Sequence, residues 1–146
     1  MAYVSSHGIM KAKEYEYADK QYDCLYKPDN TLAFNVTKYY ILPEEANMAM
    51  SVAFSGPIAV GIDASDDFQL YCNGVFDGEC SSNPNHAVIV VGYGTEHNEK
   101  SGEDIDYWLI RNSWGENWGD GGYVKIKRNA NMCGITESAS SVDLTQ

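Results

Sequence analysis

His86 opens the apolar run Ala87-Val88-Ile89-Val90-Val91, and Asn112 follows about two dozen residues later inside Asn112-Ser113-Trp114-Gly115. A histidine paired with a distant carboxamide or carboxylate is the general-base half of a nucleophilic active site. The imidazole takes the proton of a thiol and later returns it to a leaving group. The Asn112 side-chain oxygen can accept the N–H of the ring nitrogen facing away from the nucleophile, which orients the ring. An amide does this without adding negative charge, so the imidazolium is not over-stabilised as an acid. Trp114 is expected to cover the His–Asn contact from water and strengthen it by lowering the local dielectric. Trp118 suits the rim of a substrate site and simple packing equally. Alone, a histidine leading into a strand is more often a strand-end side chain, and an asparagine at a turn is more often a cap. The two together outweigh those readings.

The elements that must position these residues are strands. Residues 57–62, 86–93, 107–112 and 122–127 are apolar or alternating and read as buried or half-buried strands. Leu32 to Ile41 is β-rich, with Phe34, Val36, Tyr39 and Tyr40. Pro43-Glu44-Glu45 then opens a short helix through Phe54, with Pro at the first helical position and acids at the positive end of the dipole. Ala46, Ala49, Met50 and Ala53 fall at helical spacing and read as a core-facing stripe. Met1 to Ser6 reads as a helix tail stopped by Gly8, and residues 9–30 as an irregular, Tyr-rich connection. Glu96 to Asp106, with five acids and one Lys around Gly102, reads as a solvated loop.

The 146 residues are one domain's worth of chain, and 44% hydrophobic composition excludes disorder and collagen-like folds. The net charge of −11 argues against nucleic acid and anionic membranes as partners, since both need clustered Lys and Arg. No apolar run is long enough to span a bilayer, and the N-terminus lacks the basic start and apolar core of a signal peptide. Cys24, Cys72, Cys80 and Cys133 form no Cys-x-x-Cys pair, so a zinc site is not expected. No metal or cofactor motif is present, and His7 and His97 sit in polar surroundings as surface residues. Asn35-Val36-Thr37 is an N-glycosylation sequon.

Asn85 to Gly94, Tyr107 to Gly119, Gly121 to Ile126 and Met132-Cys133-Gly134-Ile135 together resemble the histidine strand, the asparagine strand and the following return of papain-like cysteine peptidases. Gly56 to Asp63 and Tyr71 to Phe76 resemble the same family, nearest its cathepsin-L-like branch. The resemblance covers almost the whole chain. It implies an α+β papain-like fold, mostly the C-terminal antiparallel β-barrel domain with a short helix, and the N-terminal helical domain largely missing. Residues 1–8 would be a remnant of that helical domain and residues 9–146 the barrel domain. His86 and Asn112 would be catalytic, with Trp114 and Trp118 in support. Asn85 would offer its main-chain carbonyl to substrate, and Gly61, Pro84, Ala87 and Ser138 would line the apolar pocket for the residue second from the cleaved bond. A preference for Leu, Phe or Val follows. Cys80 and Cys133 match a disulfide pair, Cys24 matches a cysteine whose partner lies in the absent half, and Cys72 has no assignable partner.

In the papain and cathepsin signature the reactive Cys lies roughly 130–150 residues before the His and Asn, which falls ahead of Met1. The expectation is therefore a C-terminal half of a cysteine endopeptidase that supplies His and Asn without the nucleophile or the oxyanion-hole Gln, inactive alone. Its implied partners are polypeptide substrates, the N-terminal half carrying the Cys, a propeptide and a cystatin-type inhibitor, in a lysosomal or secreted location. A non-catalytic homologue acting as a protein- or peptide-binding module, and a structural or storage protein, are the competing readings.

Overall fold

A computed structural model describes residues 2–18, 20–31, 35–99 and 101–145. In chain order its elements are helix α1 (Ala2–His7), strand β1 (Asn35–Ile41), helix α2 (Glu45–Phe54), strand β2 (Ile58–Ile62), the one-turn helix α3 (Asp66–Gln69), then β3 (Val75–Phe76), β4 (His86–Asn98), β5 (Glu103–Arg111), β6 (Tyr123–Lys127) and β7 (Ser140–Thr145). The chain forms two compact units, Ile41–Ser141 and Met1–Tyr40 with Val142–Gln146.

The larger unit is organised by the two-residue period of its strands. Ile58, Val60 and Ile62 on β2, Val88 and Val90 on β4, Trp108 and Ile110 on β5, and Val124 and Ile126 on β6 are all buried. Antiparallel register stacks them against one another: Val60 faces Val88, Val90 faces Ile110, and Ile110 faces Val124. Such opposed β-branched and aromatic pairs are the unit from which a sheet gains stability. The strand order is β7-β2-β4-β5-β6-β3, and β3 joins β6 in parallel. Val91 is an extra residue between the Val90–Ile110 and Gly92–Leu109 pairs, a bulge that breaks the alternation halfway along β4.

In the smaller unit Gly8 ends α1 as expected. Its φ is +75°, a conformation glycine adopts without strain, and its N–H donates to Val4 O at 2.8 Å. Ser5 Oγ donates to Val36 O at 2.8 Å, and the Tyr40 hydroxyl donates to Asp143 Oδ2 at 2.6 Å. The β-rich run is strand from Asn35 onward; its residues 32–34 lie outside the described residues, as does Met1.

Three expectations are corrected. Glu96 to Asp106 is not a solvated loop but the end of a hairpin, with β4 running to Asn98 and β5 starting at Glu103; Lys100 lies outside the described residues. Three of its acids have cross-strand partners: Thr95 Oγ1 donates to Asp106 at 2.7 Å, His97 Nδ1 meets Asp104 at 2.7 Å, and Glu96 pairs with Lys125 of β6. Polar pairing along an exposed ribbon replaces the apolar signal by which strands are recognised. The stripe on α2 is also displaced. Met48 is its fully buried residue, with Ala49 and Val52 against the core, while Ala46 and Ala53 are exposed and Met50 is 63% exposed. Pro43 stands before the helix, whose N-cap is Glu44, rather than at its first position.

Cys80 and Cys133 are bridged across 53 residues of sequence, while Cys24 and Cys72 are free and exposed. Closing a loop of that length restricts the unfolded chain. The double variant Cys80→Ala/Cys133→Ala should lose about 4 kcal/mol of unfolding free energy. Urea denaturation against the oxidised wild type measures it, and non-reducing peptide mapping should recover Cys80–Cys133 as the main bridge.

Candidate active site

The β4–β5 register brings the two candidate catalytic side chains together. Ile89 pairs with Arg111, so the residue after Arg111 continues opposite Val88 and lies diagonal to His86 on the adjoining strand. His86 Nε2 lies 2.8 Å from Asn112 Oδ1. The Asn112 backbone is fixed from the other side, where its N–H donates to Gly122 O at 3.0 Å. Asn112 is 9% exposed.

The same oxygen accepts the Ser113 main-chain N–H at 2.7 Å. That bond decides the chemistry of the ring. A reversed amide would set its NH₂ against the Ser113 N–H, donor against donor, so the oxygen must face both groups. An oxygen cannot donate, and Nε2 must therefore carry the hydrogen. Neutral His86 is the Nε2–H tautomer, which leaves the Nδ1 lone pair as the base; Nδ1 has no hydrogen-bond partner among the described residues. Asn112 Nδ2 is buried and unbonded among the described residues, so the oxygen alone holds the amide.

Trp114 stacks on the imidazole with ring centroids 4.8 Å apart and planes 28° from parallel. Trp114 is itself 40% exposed, so it covers one ring face rather than enclosing the pair. Beneath it lies an aromatic floor. Phe68 meets Trp114 edge-on at 5.8 Å and Trp118 at 5.2 Å, and Trp118 meets Trp114 edge-on at 5.1 Å. Trp118 also donates its Nε1–H to Gln69 O at 3.0 Å, so it joins the tryptophan floor to α3. Gly119 makes this turn possible: its φ is +58°, and a Cβ there would come 2.6 Å from Tyr123 O. Phe68 was not singled out from sequence. The signal for α3 was present in Ser65-Asp66-Asp67, where the Ser65 hydroxyl caps the Phe68 N–H at 3.3 Å and two acids follow in the first turn.

The residues expected to line a pocket converge. Gly61 pairs with Ala87 in the β2–β4 ladder. A Cβ built on Gly61 would collide with Ser138 Oγ and lie 2.9 Å from Pro84 Cβ, so glycine is what lets those two side chains close over the strand. Pro84, Ala87 and Ser138 are exposed. Asn85 has its side chain committed elsewhere: Oδ1 accepts the Ala64 N–H at 2.8 Å and Nδ2 donates to Asp63 Oδ1 at 2.7 Å. The other Asp63 oxygen accepts the Ser81 N–H at 2.6 Å. Asp63 thus ties down the segment that leads into His86, a role without a sequence signal because its partners lie about twenty residues away. The Ser81 N–H, with Asn85 adding to it, holds the Asp63 carboxyl below the usual aspartate range.

An open cavity of about 460 Å³ lies beside Asn112 and Ser113, lined also by Ala59, Ala87, Ile89 and Arg111. Of the cysteines in this unit, Cys80 and Cys133 are consumed by their bridge, and the Cys72 thiol faces Leu70 O at 3.7 Å. No group of three His, Cys, Asp or Glu side chains among the described residues could hold a metal ion. The His86 ring can therefore accept a proton at Nδ1 while it stays anchored at Nε2.

The family profile described as papain family cysteine protease matches residues 1–142. The chain is 44% identical over 142 residues to cathepsin Q of Rattus norvegicus, covering 94% of itself and 40% of that protein. It is 42% identical over 144 residues to procathepsin L of Felis catus, covering 94% of itself and 42% of the relative. Among solved structures it resembles the digestive procathepsin L2 proteinase from Tenebrio molitor larval midgut, with a TM-score of 0.82 and 41% identity over 97% of this chain and 44% of that one. The fold is α+β and papain-like, and corresponds to the C-terminal domain of that architecture. The chain spans about two fifths of the length of these curated relatives.

Two measurements check the site as described. Long-range proton–nitrogen NMR on neutral His86 should find the Nε2–H tautomer dominant, and Asn112→Ala should remove roughly 1 kcal/mol of that bias, about a fivefold change in the tautomer ratio. The Asp63 contribution has a fixed sign in pH. A depressed carboxyl stabilises the fold above its unfolded-state pKa and loses that contribution as pH falls through the lower folded-state value. Hydrogen exchange should thus find the Ser81 amide still protected near pH 5, well above that window. The Asp63→Ala variant should lack this protection at every pH.

Proposed function

Because the chain belongs to the papain family of cysteine proteases, we propose that it forms the His- and Asn-bearing half of a cysteine endopeptidase, whose thiol comes from a segment outside these 146 residues. The observation that carries this reading is the 2.8 Å bond from His86 Nε2 to an Asn112 oxygen already pinned by the Ser113 N–H. A ring anchored in this way presents Nδ1 as a base of fixed direction, which is what a thiol nucleophile needs.

The steps follow from that geometry. Nδ1 takes the thiol proton, giving a thiolate–imidazolium pair in which Asn112 keeps the ring from turning. The thiolate attacks the peptide carbonyl carbon, and the carbonyl electron pair moves onto oxygen. When it returns, the C–N bond breaks and the leaving nitrogen takes the proton from Nδ1, leaving a thioester. Water then gives a proton to Nδ1 and its oxygen to the acyl carbon, and the thiolate departs. The oxyanion donors, including the family's Gln, belong with the thiol outside this chain. Substrate main chain lies along Asn85, and the hollow made by Gly61, Pro84, Ala87 and Ser138 takes a Leu, Phe or Val side chain.

Residues 1–8 are proposed as the end of the helical domain and residues 9–146 as the barrel domain. The exposed Trp114 and the 45% exposed Ile89 beside the cavity support a face that receives another packed surface. A propeptide and a cystatin-type inhibitor are the expected protein ligands of the assembled cleft. The Cys80–Cys133 bridge fits an oxidising route to a lysosomal or secreted destination.

The purified chain should not hydrolyse fluorogenic Phe-Arg or Leu-Arg substrates and should not react with an epoxide thiol inhibitor. Adding the N-terminal half of a cathepsin-L-like relative should yield a titratable thiolate and peptidase activity together. Turnover by the chain alone would refute the absence of a nucleophile. A monodisperse chain that ignores the complementary half would instead support the binding-module reading.

A further inference from the structure

Glu45, at the first turn of α2, accepts four N–H groups from elsewhere in the larger unit. Oε2 takes the indole Nε1–H of Trp108 at 2.7 Å and the Asn129 N–H at 2.7 Å. Oε1 takes the Ala130 N–H at 3.0 Å and the Asn131 N–H at 2.6 Å. A carboxylate saturated by charge-assisted bonds is a stiff anchor. The segment that it grips needs one, because Asn129, Asn131 and Cys133 have φ of +67°, +43° and +55°, left-handed conformations costly for residues other than glycine.

From Asn131 the restraint continues along the chain. Asn131 Oδ1 accepts both the Thr136 N–H at 3.0 Å and the Thr136 hydroxyl at 2.9 Å, and its Nδ2 donates to Glu137 at 3.1 Å. The next residue is Ser138, whose Oγ closes against Gly61. We propose that Glu45 is a positioning residue that sets the Ser138 wall of the pocket through Asn131, although it touches no substrate. The inference rests on the proposed peptidase reading for its kinetic consequence, but its structural part stands on the chain alone.

The test has two arms. In the 146-residue chain, Glu45→Gln keeps the shape of the side chain but turns an NH₂ toward two donors. Amide NMR should show shifts through Thr136 to Ser138, with the His86 and Asn112 signals unmoved. Perturbation that stops at Asn131 overturns the proposal. In a hybrid with the N-terminal half of a cathepsin-L-like relative, the variant should raise KM roughly tenfold for a substrate with Leu second from the cleaved bond. Its kcat should be unchanged, as should both constants for a substrate with Gly at that position. An equal loss on both substrates, or none on either, overturns it. Should Glu45→Gln fail to fold, Asn131→Gly decides: glycine suits the positive φ and keeps the N–H to Glu45, but cuts the link to Thr136 and Glu137, and the same Leu-selective rise in KM is expected. A hybrid that hydrolyses neither substrate before any substitution sinks the peptidase reading, while the NMR arm still decides the positioning role.

Discussion

The antiparallel register between β4 and β5 is the constraint on which the rest of the larger unit depends. Pairing Val90 with Ile110 turns the apolar set of both strands into one core and leaves Ile89 and Arg111 on the opposite face. Slipping the pair by one residue would invert both strands at once, because side chains alternate with period two. The same register carries His86 and Asn112 to the diagonal positions from which an imidazole and an amide reach each other. Core packing and the candidate site are thus specified by one set of backbone bonds, and the bulge at Val91 interrupts the alternation of β4 for one residue before it resumes toward Asn98.

Around that frame the irregular segments are held by carboxylates. Asp63 gathers Ser81 and Asn85, and Glu45 gathers residues 129 to 131 and the Trp108 indole. Buried or half-buried N–H groups with no ladder partner must bond somewhere, and a carboxylate that accepts several of them satisfies the turn and fixes its shape. The Cys80–Cys133 bridge joins the segment bearing Pro84 to the one bearing Ser138. Main-chain bonds to acids and a covalent link therefore do for the segments bearing Pro84 and Ser138 what strand pairing does for His86.

The imidazole is supported on its own terms. Its edge is fixed by an oxygen with two donors, one face is covered by Trp114, and the other ring nitrogen is left available. Trp114 is in turn set by Phe68 and Trp118, and through them by a single turn of helix that begins at a serine cap. The electrostatics of the ring thus rest on packing that involves no charge at all.

By itself the sequence determined the strands with apolar alternation, the glycine stop at Gly8, the candidate pair His86 and Asn112, and the α+β papain-like architecture. These are local periodicities or motifs whose residue types announce their chemistry. It misread the Glu96–Asp106 hairpin because ribbon strands paired through Thr95, His97 and Glu96 carry no hydrophobic period. It misassigned the buried face of α2 because small residues at helical spacing do not say which side the sheet lies on; Met48, not Met50, meets the core. Which hydrogen the Asn112 amide accepts, how Gly61 admits Ser138 against Pro84, and what Glu45 and Asp63 hold were decided only by the tertiary structure. Each depends on groups 18 to 86 residues apart meeting at close range, and no local pattern encodes that meeting.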